Sequence, residues 1–222
     1  MNRPSKGSSA QPIGLFDSGL GGLTIAWELL RQLPNEQIVY FGDTAHLPYG
    51  DKSPSVLRGY VGQITDFLLG HGVKAIVIAC NTASAVASEV VLERANGIPV
   101  IEVISPTVAA VLAQDHVSRV GIIGTQTTIR SGVYRRAIEL KGNAIQVVEK
   151  ATPLLVPMIE EGWANHPICQ TVLEAYLDDA SFDGIDSLIL GCTHYPLIRS
   201  QVEIYYKTKD QSVRVVDSSH PT

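Results

Sequence analysis

The chain has 222 residues, of which 45% are hydrophobic, and a formal net charge of −5. This length is enough for one sizeable core or for two small lobes of about 100 residues each. The acidic balance argues against a nucleic-acid partner, and no apolar run approaches the ~18 residues of a membrane span. Composition therefore predicts a globular protein that binds neither nucleic acid nor a membrane.

The first residues and the cysteines point to a reducing compartment. Residues 1–12 contain two basic residues but no apolar segment of the kind a secretion signal needs. Three cysteines without a C-x-x-C spacing argue against a disulfide framework and against a metal site. We therefore expect a cytoplasmic protein with free thiols, no metal ion and a flexible N-terminal extension at residues 1–10.

Short β-branched segments alternate along the chain with longer segments of helical period, which is the pattern of parallel sheets with crossover helices. The predicted strands are 13–16, 37–42, 75–79, 99–103, 119–123, 144–148, 187–190 and 213–216. The predicted helices include 22–33, 54–69 and 82–95, each followed by a proline or glycine. Ser105-Pro106 and Tyr195-Pro196 predict two further helix starts, each an N-cap followed by proline.

A weak internal repeat indicates how these elements are organised. Residues 14–18 (GLFDS) recur in outline 107 residues later at 121–125 (GIIGT), and Cys80 and Cys192 are 112 residues apart. Two nearly equal offsets predict an α/β fold of two similar lobes with mainly parallel sheets, related by pseudo-symmetry. We assign residues 11–104 and 207–222 to the first lobe and 105–206 to the second.

Cys80 and Cys192 have the same surroundings in the sequence. Each follows an apolar run and precedes polar side chains, in AIVIACNTAS and SLILGCTHYP. Ligands of open α/β sheets bind outside the carboxyl ends of the strands, so facing lobes would place both thiols across one cleft. A single cysteine after a strand is usually a small core residue, as we expect for Cys169, but the matched pair predicts an active site.

Polar groups beside these thiols could hold a small carboxylate ligand. The turn at 17–22 (DSGLGG) supplies backbone N–H groups and a hydroxyl at a helix start, but lacks the spacing of a nucleotide loop. Asn81-Thr82 and Thr193-His194 offer similar groups, although each could equally be a helix cap. His194 lies two positions from Cys192, where an imidazole can favour a thiolate.

Five motifs in order carry a resemblance to a known family. They are DSGLGG (17–22), FGDTAHLPYG (41–50), CNTAS (80–84), LVPMIEEG (155–162) and GCTHYP (191–196). Through them the chain resembles the glutamate racemases of the cofactor-independent aspartate/glutamate racemase superfamily, over roughly residues 13–218. Aspartate racemases share the two cysteines, but the His-Tyr-Pro after the second Cys-Thr favours the glutamate enzymes.

The resemblance implies interconversion of L- and D-glutamate without a cofactor, supplying D-glutamate for peptidoglycan. It implies Cys80 and Cys192 as the acid/base pair, with Asp17, His194 and Glu160 as further catalytic residues and Asp43 as a weaker candidate. The implied substrate-binding residues are Asp17, Ser18, Tyr49, Gly50, Asn81, Thr82, Thr193 and His194. Relatives occur as monomers or homodimers, some with a cell-wall nucleotide activator, and the sequence decides neither point. Relatives also continue after residues 216–218 with a helical segment that packs on the first lobe.

Physical chemistry supports this reading and leaves alternatives. Inverting a stereocentre means removing the Cα proton from one face and delivering a proton to the other, which suits two opposed groups of one kind. A thiol, with an ordinary pKa of about 8.5, can serve as base or acid after modest shifts. The alternatives are an aspartate racemase-like enzyme, a hydrolase with one cysteine nucleophile and His194 as its base, and a non-catalytic amino-acid binding module.

Overall fold

The computed structural model describes residues 10–141 and 144–219. Its strands are β1 (Ile13–Asp17), β2 (Ile38–Gly42), β3 (Ala75–Ile78), β4 (Val100–Glu102), β5 (Arg119–Gly124), β6 (Gln146–Ala151), β7 (Ser187–Gly191) and β8 (Arg214–Asp217). Its α-helices are α1 (Leu23–Gln32), α2 (Pro54–Gly70), α3 (Asn81–Arg94), α4 (Ile104–Leu112), α5 (Gln126–Ser131), α6 (Val133–Lys141), α7 (Leu155–Glu160), α8 (Pro167–Leu177) and α9 (Arg199–Thr208).

The strands form two parallel sheets with the same internal order. Within the described ranges, one four-stranded sheet has the order β2-β1-β3-β4 and the other β6-β5-β7-β8. Every pairing in both sheets is parallel. The prediction of two similar α/β lobes is confirmed, because β5 to β8 repeat the arrangement of β1 to β4.

The last strand differs from the predicted lobe assignment. β8 pairs with β7, with Leu188 opposite Val215 and Ile189 opposite Val216. The Arg199 guanidinium also binds β8, donating to Asp217 Oδ2 and to the Val215 carbonyl, each at 2.7 Å. The prediction that 207–222 belong to the first lobe is therefore wrong for this strand, which completes the second sheet. Residues 220–222, and residues 1–9 of the predicted N-terminal extension, lie outside the described residues.

Helices cover both faces of each sheet. In the first lobe, α2 and α3 pack on one face through residues such as Leu57 and Val91, and α1 packs on the other through Ile25. In the second lobe, α7, α8 and α9 cover one face, while α4 and α6 cover the other. β1 and β7 are buried along their whole length, as expected for strands of a parallel sheet covered on both sides.

Local capping explains where several helices begin. α2 starts after Ser53, whose hydroxyl accepts from the Val56 N–H at 3.4 Å. The predicted N-cap at Ser105 is wrong, because α4 already begins at Ile104. The Glu102 carboxylate caps this helix instead, accepting from the backbone N–H of Ile104 at 2.6 Å and of Ser105 at 2.8 Å.

The predicted start at Tyr195-Pro196 opens a 3-10 turn, Tyr195–Ile198, which leads directly into α9. Within the described ranges, none of the helices combines the length and the hydropathy that crossing a bilayer would require.

Candidate active site

The polar ends of five strands meet in one cavity between the lobes. The residue after β1 is Ser18, Cys80 follows β3 by two residues, and Thr125, Thr152 and Cys192 come directly after β5, β6 and β7. All five line the same cavity. The remaining lining residues are Leu47, Pro48, Tyr49, Gly50, Asp51, Asn81, Thr82, Gln126, Pro153, Val156, Pro157, Thr193 and His194. The two lobes therefore bring the matched thiols to one site, as the repeat predicts.

The cavity is small, and its exposed lining residues Asp51, Pro153 and Pro157 mark its opening to solvent. The space open to the centre of a water molecule is about 40 Å³, which admits only a few waters. Cys80 and Cys192 are 3% and 6% exposed. Little of either thiol is therefore accessible from solvent.

Cys80 occupies the N-cap position of α3. Its Sγ accepts from the backbone N–H of Ala83 at 3.5 Å. Burial, followed by the negative charge of Asp17, raises the pKa of the Cys80 thiol to about 12, while hydrogen bonds from Ala83 and Ser18 act in the opposite direction. In this arrangement the thiol is protonated at neutral pH.

Cys192 lies at the head of a thiol–imidazole–carboxylate chain. His194 Nδ1 is 3.7 Å from Cys192 Sγ, and His194 Nε2 is 3.0 Å from Glu160 Oε1. Burial raises the pKa of the Cys192 thiol above its ordinary value, and negative charge on Cys80 raises it further. Because each thiolate disfavours the other, the site favours at most one charged sulfur.

Asp17 holds two turns of the cavity wall in place by hydrogen bonds. Its carboxylate is fully buried and accepts from the backbone N–H of Gly19 at 3.1 Å and of Gly22 at 2.9 Å. It also accepts from the Thr193 hydroxyl at 3.2 Å, which links the turn after β1 to the turn after β7. The structure brings Asp17 to the site but does not place it among the lining residues, and the same holds for Glu160.

Tyr49 and Gly50 form the wall contributed by the loop after β2. The Tyr49 hydroxyl donates to Asp43 Oδ2 at 2.6 Å, and Asp43 also bonds His46 Nδ1 at 2.7 Å. The Tyr49 hydroxyl is therefore occupied by Asp43, which is not among the lining residues. A Cβ on Gly50 would lie 2.7 Å from Thr125 Cβ, so only glycine allows the lobes to approach this closely.

The side chains of Asn81 and Thr82 both contact the second lobe. Asn81 Oδ1 accepts from the Tyr134 hydroxyl at 2.5 Å, and Asn81 Nδ2 donates to Ser218 Oγ at 3.2 Å. The Thr82 hydroxyl lies 3.0 Å from that of Thr125. Both residues line the cavity as predicted, but these side-chain groups already have protein partners.

Among the lining residues that were not predicted, Thr125 and Thr152 are the two that carry a hydroxyl. Thr125 is the counterpart of Ser18 in the internal repeat, so extending the repeat from the cysteines to the hydroxyls would have found it. The Thr152 hydroxyl lies 2.6 Å from the Tyr195 hydroxyl. It follows β6, which the structure ends three residues later than predicted, so the sequence carried no usable signal for it.

The fold and site define an α/β protein whose two lobes enclose a pair of thiols suited to acid–base chemistry on a small ligand. The Asp/Glu/Hydantoin racemase family matches residues 33–220, and the chain belongs to this family. The resemblance seen in the sequence motifs is thereby confirmed.

Relatives extend this result to nearly the whole chain. A glutamate racemase of Neisseria gonorrhoeae is 46% identical over 212 residues, which cover 96% of this chain and 77% of the relative. The crystal structure of the Francisella tularensis glutamate racemase in complex with D-glutamate has a TM-score of 0.88 and 44% identity, covering 96% of this chain and 78% of that one. The Escherichia coli glutamate racemase in complex with L-glutamate and the activator UDP-MurNAc-Ala has a TM-score of 0.77 and 27% identity, covering 95% of this chain and 79% of that one.

Proposed function

We propose that this protein is a glutamate racemase that interconverts L- and D-glutamate by proton transfer between Cys80, Cys192 and the substrate Cα. The observation that carries the proposal is that these two thiols, at equivalent positions of the two lobes, line one cavity. The 46% identical relative and the neighbour with bound D-glutamate support glutamate as the substrate.

In the proposed reaction, the thiolate on one face of the substrate takes the Cα proton and the thiol on the other face protonates the resulting carbanion. The two cysteines exchange these roles in the reverse direction. An asymmetric pair is essential, and the mutual effect of the two sulfurs on each other's pKa favours it. The first ionisation must overcome the raised pKa of Cys80, so the substrate-loaded site has to stabilise a thiolate better than the protein groups around Cys80 do alone.

Preorganised donors would stabilise the carbanion and hold the carboxylates. Among the described residues, the cavity wall contains no lysine or arginine. Recognition would therefore rest on hydroxyl and backbone N–H groups. We propose Ser18 as a hydroxyl donor, and Thr82 and Thr193 as residues that act through their backbone N–H groups, because their hydroxyls already have protein partners. Tyr49 and Gly50 would shape the wall, and Asn81 would contribute through the start of α3.

Charged and titratable groups beside the thiols would control which of the two thiols is protonated. We assign His194, held by Glu160, to the thiol of Cys192 because the imidazole lies between the sulfur and the carboxylate. We assign Asp17 to the Cys80 side, where its charge acts on the thiol.

The biological setting belongs to the same proposal. We propose that the enzyme works in the cytoplasm and supplies D-glutamate for peptidoglycan. The activator bound to the Escherichia coli relative makes a cell-wall nucleotide a candidate regulator here, and homodimer formation is a further expectation.

A cysteine hydrolase is the second candidate, and one observation favours it. Cys192, His194 and Glu160 are arranged like the nucleophile, base and orienting group of thiol hydrolases. That chemistry needs only one of the two cavity thiols, so it predicts that Cys80 is dispensable.

Isotope exchange tests the proposal and separates the candidates. Purified protein is incubated with D-glutamate in deuterated water, and Cα deuterium and the L-enantiomer are followed by NMR and circular dichroism. We expect one deuterium at Cα of the L-product, and loss of turnover in both Cys80→Ala and Cys192→Ala. Cys169→Ala is the matched control, because Cys169 is a buried thiol of the second-lobe core.

Three outcomes would contradict the proposal. Substrate binding without any Cα exchange would identify a binding protein. Racemisation that survives Cys80→Ala would contradict the two-thiol mechanism. A higher kcat/KM for D-aspartate than for D-glutamate would assign the enzyme to aspartate.

A further inference from the structure

Asn81 joins the lobe that carries Cys80 to the lobe that carries Cys192. It is the first residue of α3 and follows Cys80 directly. Both ends of its side-chain amide bond residues of the second lobe, the Tyr134 hydroxyl at 2.5 Å and Ser218 Oγ at 3.2 Å. All three side chains are buried, where an unmade hydrogen bond is costly.

Tyr134 is fixed independently of this contact. Its ring is part of the second-lobe core formed by α4, α6 and strand residues such as Ile122 and Ile189. Burial raises the pKa of the Tyr134 hydroxyl well above its ordinary value, so it remains a proton donor at every pH at which the enzyme would work. The ring anchors the hydroxyl, and the hydroxyl holds the amide.

Ser218 is tied to the position of Cys192. It follows β8, whose last residue, Asp217, lies opposite Leu190 of β7, and β7 leads directly to Cys192. Asp217 is itself braced by Arg199 at 2.7 Å and accepts from the Ser219 N–H at 2.9 Å. The hydrogen bond between Ser218 and Asn81 therefore fixes Asn81 relative to β7 and β8, and β7 leads to the second thiol.

From this geometry we propose that Tyr134 and Ser218 are positioning residues, which through Asn81 set the distance between Cys80 and Cys192. The inference rests on the proposed racemase function. Neither residue lines the cavity, so both act through Asn81 rather than on the substrate. Without them, the start of α3 would lose its fixed place against the second lobe, and the thiol that donates the proton would be misplaced.

Misplacement of the opposed thiol has a specific isotopic consequence. The first thiolate still breaks the Cα–H bond and becomes a thiol. If protonation by the opposite thiol is slow, the first thiol has time to exchange its proton with deuterated water and return deuterium to the same face. Deuterium then accumulates in the remaining substrate relative to the product, which a simple loss of folded enzyme does not cause.

The test compares Tyr134→Phe and Ser218→Ala with the wild type and with Tyr206→Phe. Tyr206→Phe is the matched control because Tyr206 is a buried tyrosine of the same lobe whose hydroxyl has no partner among the described residues. D-glutamate is converted to low extent in deuterated water, and the deuterium in remaining substrate and in product is measured by mass spectrometry. The folded fraction is measured by circular dichroism.

We expect Tyr134→Phe to lower kcat per folded molecule about tenfold and to raise the substrate-to-product deuterium ratio about threefold, because small displacements of reacting groups are costly. We expect the double variant with Ser218→Ala to lose less than the product of the two single effects, since both act through Asn81. Tyr206→Phe should match the wild type in both measurements.

The inference is overturned if Tyr134→Phe and Tyr206→Phe have the same substrate-to-product deuterium ratio, even if kcat falls in Tyr134→Phe. The lower kcat would then reflect a smaller amount of active enzyme and not a misplaced thiol. If Tyr134→Phe does not fold, the same ratio in Ser218→Ala decides. Absence of Cα deuterium in the wild type would instead overturn the proposed function, so the two failures are distinguishable.

Discussion

Replacing Gly50 with alanine tests how closely the lobes must approach at the cavity. A Cβ at this position would lie 2.7 Å from Thr125 Cβ and 2.9 Å from its Cγ2, whereas ordinary contacts begin near 3.4 Å. The Cβ of Thr125 is fixed by its own backbone, so side-chain rotation cannot relieve this contact. The loop carrying Tyr49 and the start of α5 must therefore separate by at least about 0.7 Å.

This displacement changes both activity and stability. Because Gly50 and Thr125 line the cavity on opposite lobes, we expect kcat to fall about tenfold to a hundredfold. Strain of this kind costs about 1 to 3 kcal/mol, which for a chain of this size lowers Tm by several degrees. The rate of D-glutamate conversion is followed by circular dichroism, and Tm by calorimetry.

Gly59→Ala is the matched control. Gly59 lies within α2 and has no atom within 4 Å of the position of a Cβ, so alanine should leave kcat unchanged and stabilise the helix by up to about 1 kcal/mol. If the kcat of Gly50→Ala stays within about twofold of this control, the close approach of the lobes is not needed for catalysis and the reasoning fails.

Three further predictions concern the groups around the thiols. Tyr49→Phe removes one of the two donors of the buried Asp43 carboxylate, so urea unfolding should show a loss of about 1 to 3 kcal/mol; an unchanged midpoint would contradict this role. Glu160→Gln should lower kcat at least about tenfold with little change in KM, because His194 loses its charged partner; equal kcat values would remove Glu160 from the mechanism. Burial raises the pKa of Cys80 to about 12 in the folded state, so the folded protein holds its proton to higher pH than the unfolded chain. Stability from this group is complete below the unfolded pKa and is lost as pH rises toward 12. The free energy of unfolding of the wild type should therefore fall relative to Cys80→Ala between about pH 8.5 and 10, and parallel curves would show that the thiol is not buried in this way.

The raised pKa values of both thiols bear on how the site is activated. A cavity that keeps both sulfurs protonated limits side reactions, since the thiolate is the reactive form. Catalysis then requires that one of the two thiols ionises when substrate is bound. His194 lies beside Cys192, and the start of α3 directs N–H groups at Cys80, so each sulfur has a local means of stabilising its charge.

Local pattern and the internal repeat were sufficient to predict much of the fold. Apolar β-branched runs mark the strands because a parallel strand is buried on both faces. Glycine or proline follows the helices because glycine adopts the left-handed conformation common after a helix end and proline cannot continue a helix. The repeat predicted two equivalent lobes, since a duplicated unit folds in the same way twice. The matched contexts of Cys80 and Cys192 predicted a shared cavity for the same reason.

Tertiary structure alone decided features that depend on distant partners. β8 belongs to the second sheet because its backbone pairs with β7, and a strand's partner is not encoded in its own apolar pattern.

The directions of side chains were decided in the same way. Asp17 faces the turn behind the wall, and the Tyr49 hydroxyl faces Asp43, because buried polar groups follow their hydrogen-bond partners. The sequence by itself determined that the two cysteines and the polar residues that follow each of them reach one cleft. Which atoms face the substrate was decided only by packing, because that depends on contacts between segments far apart in the chain.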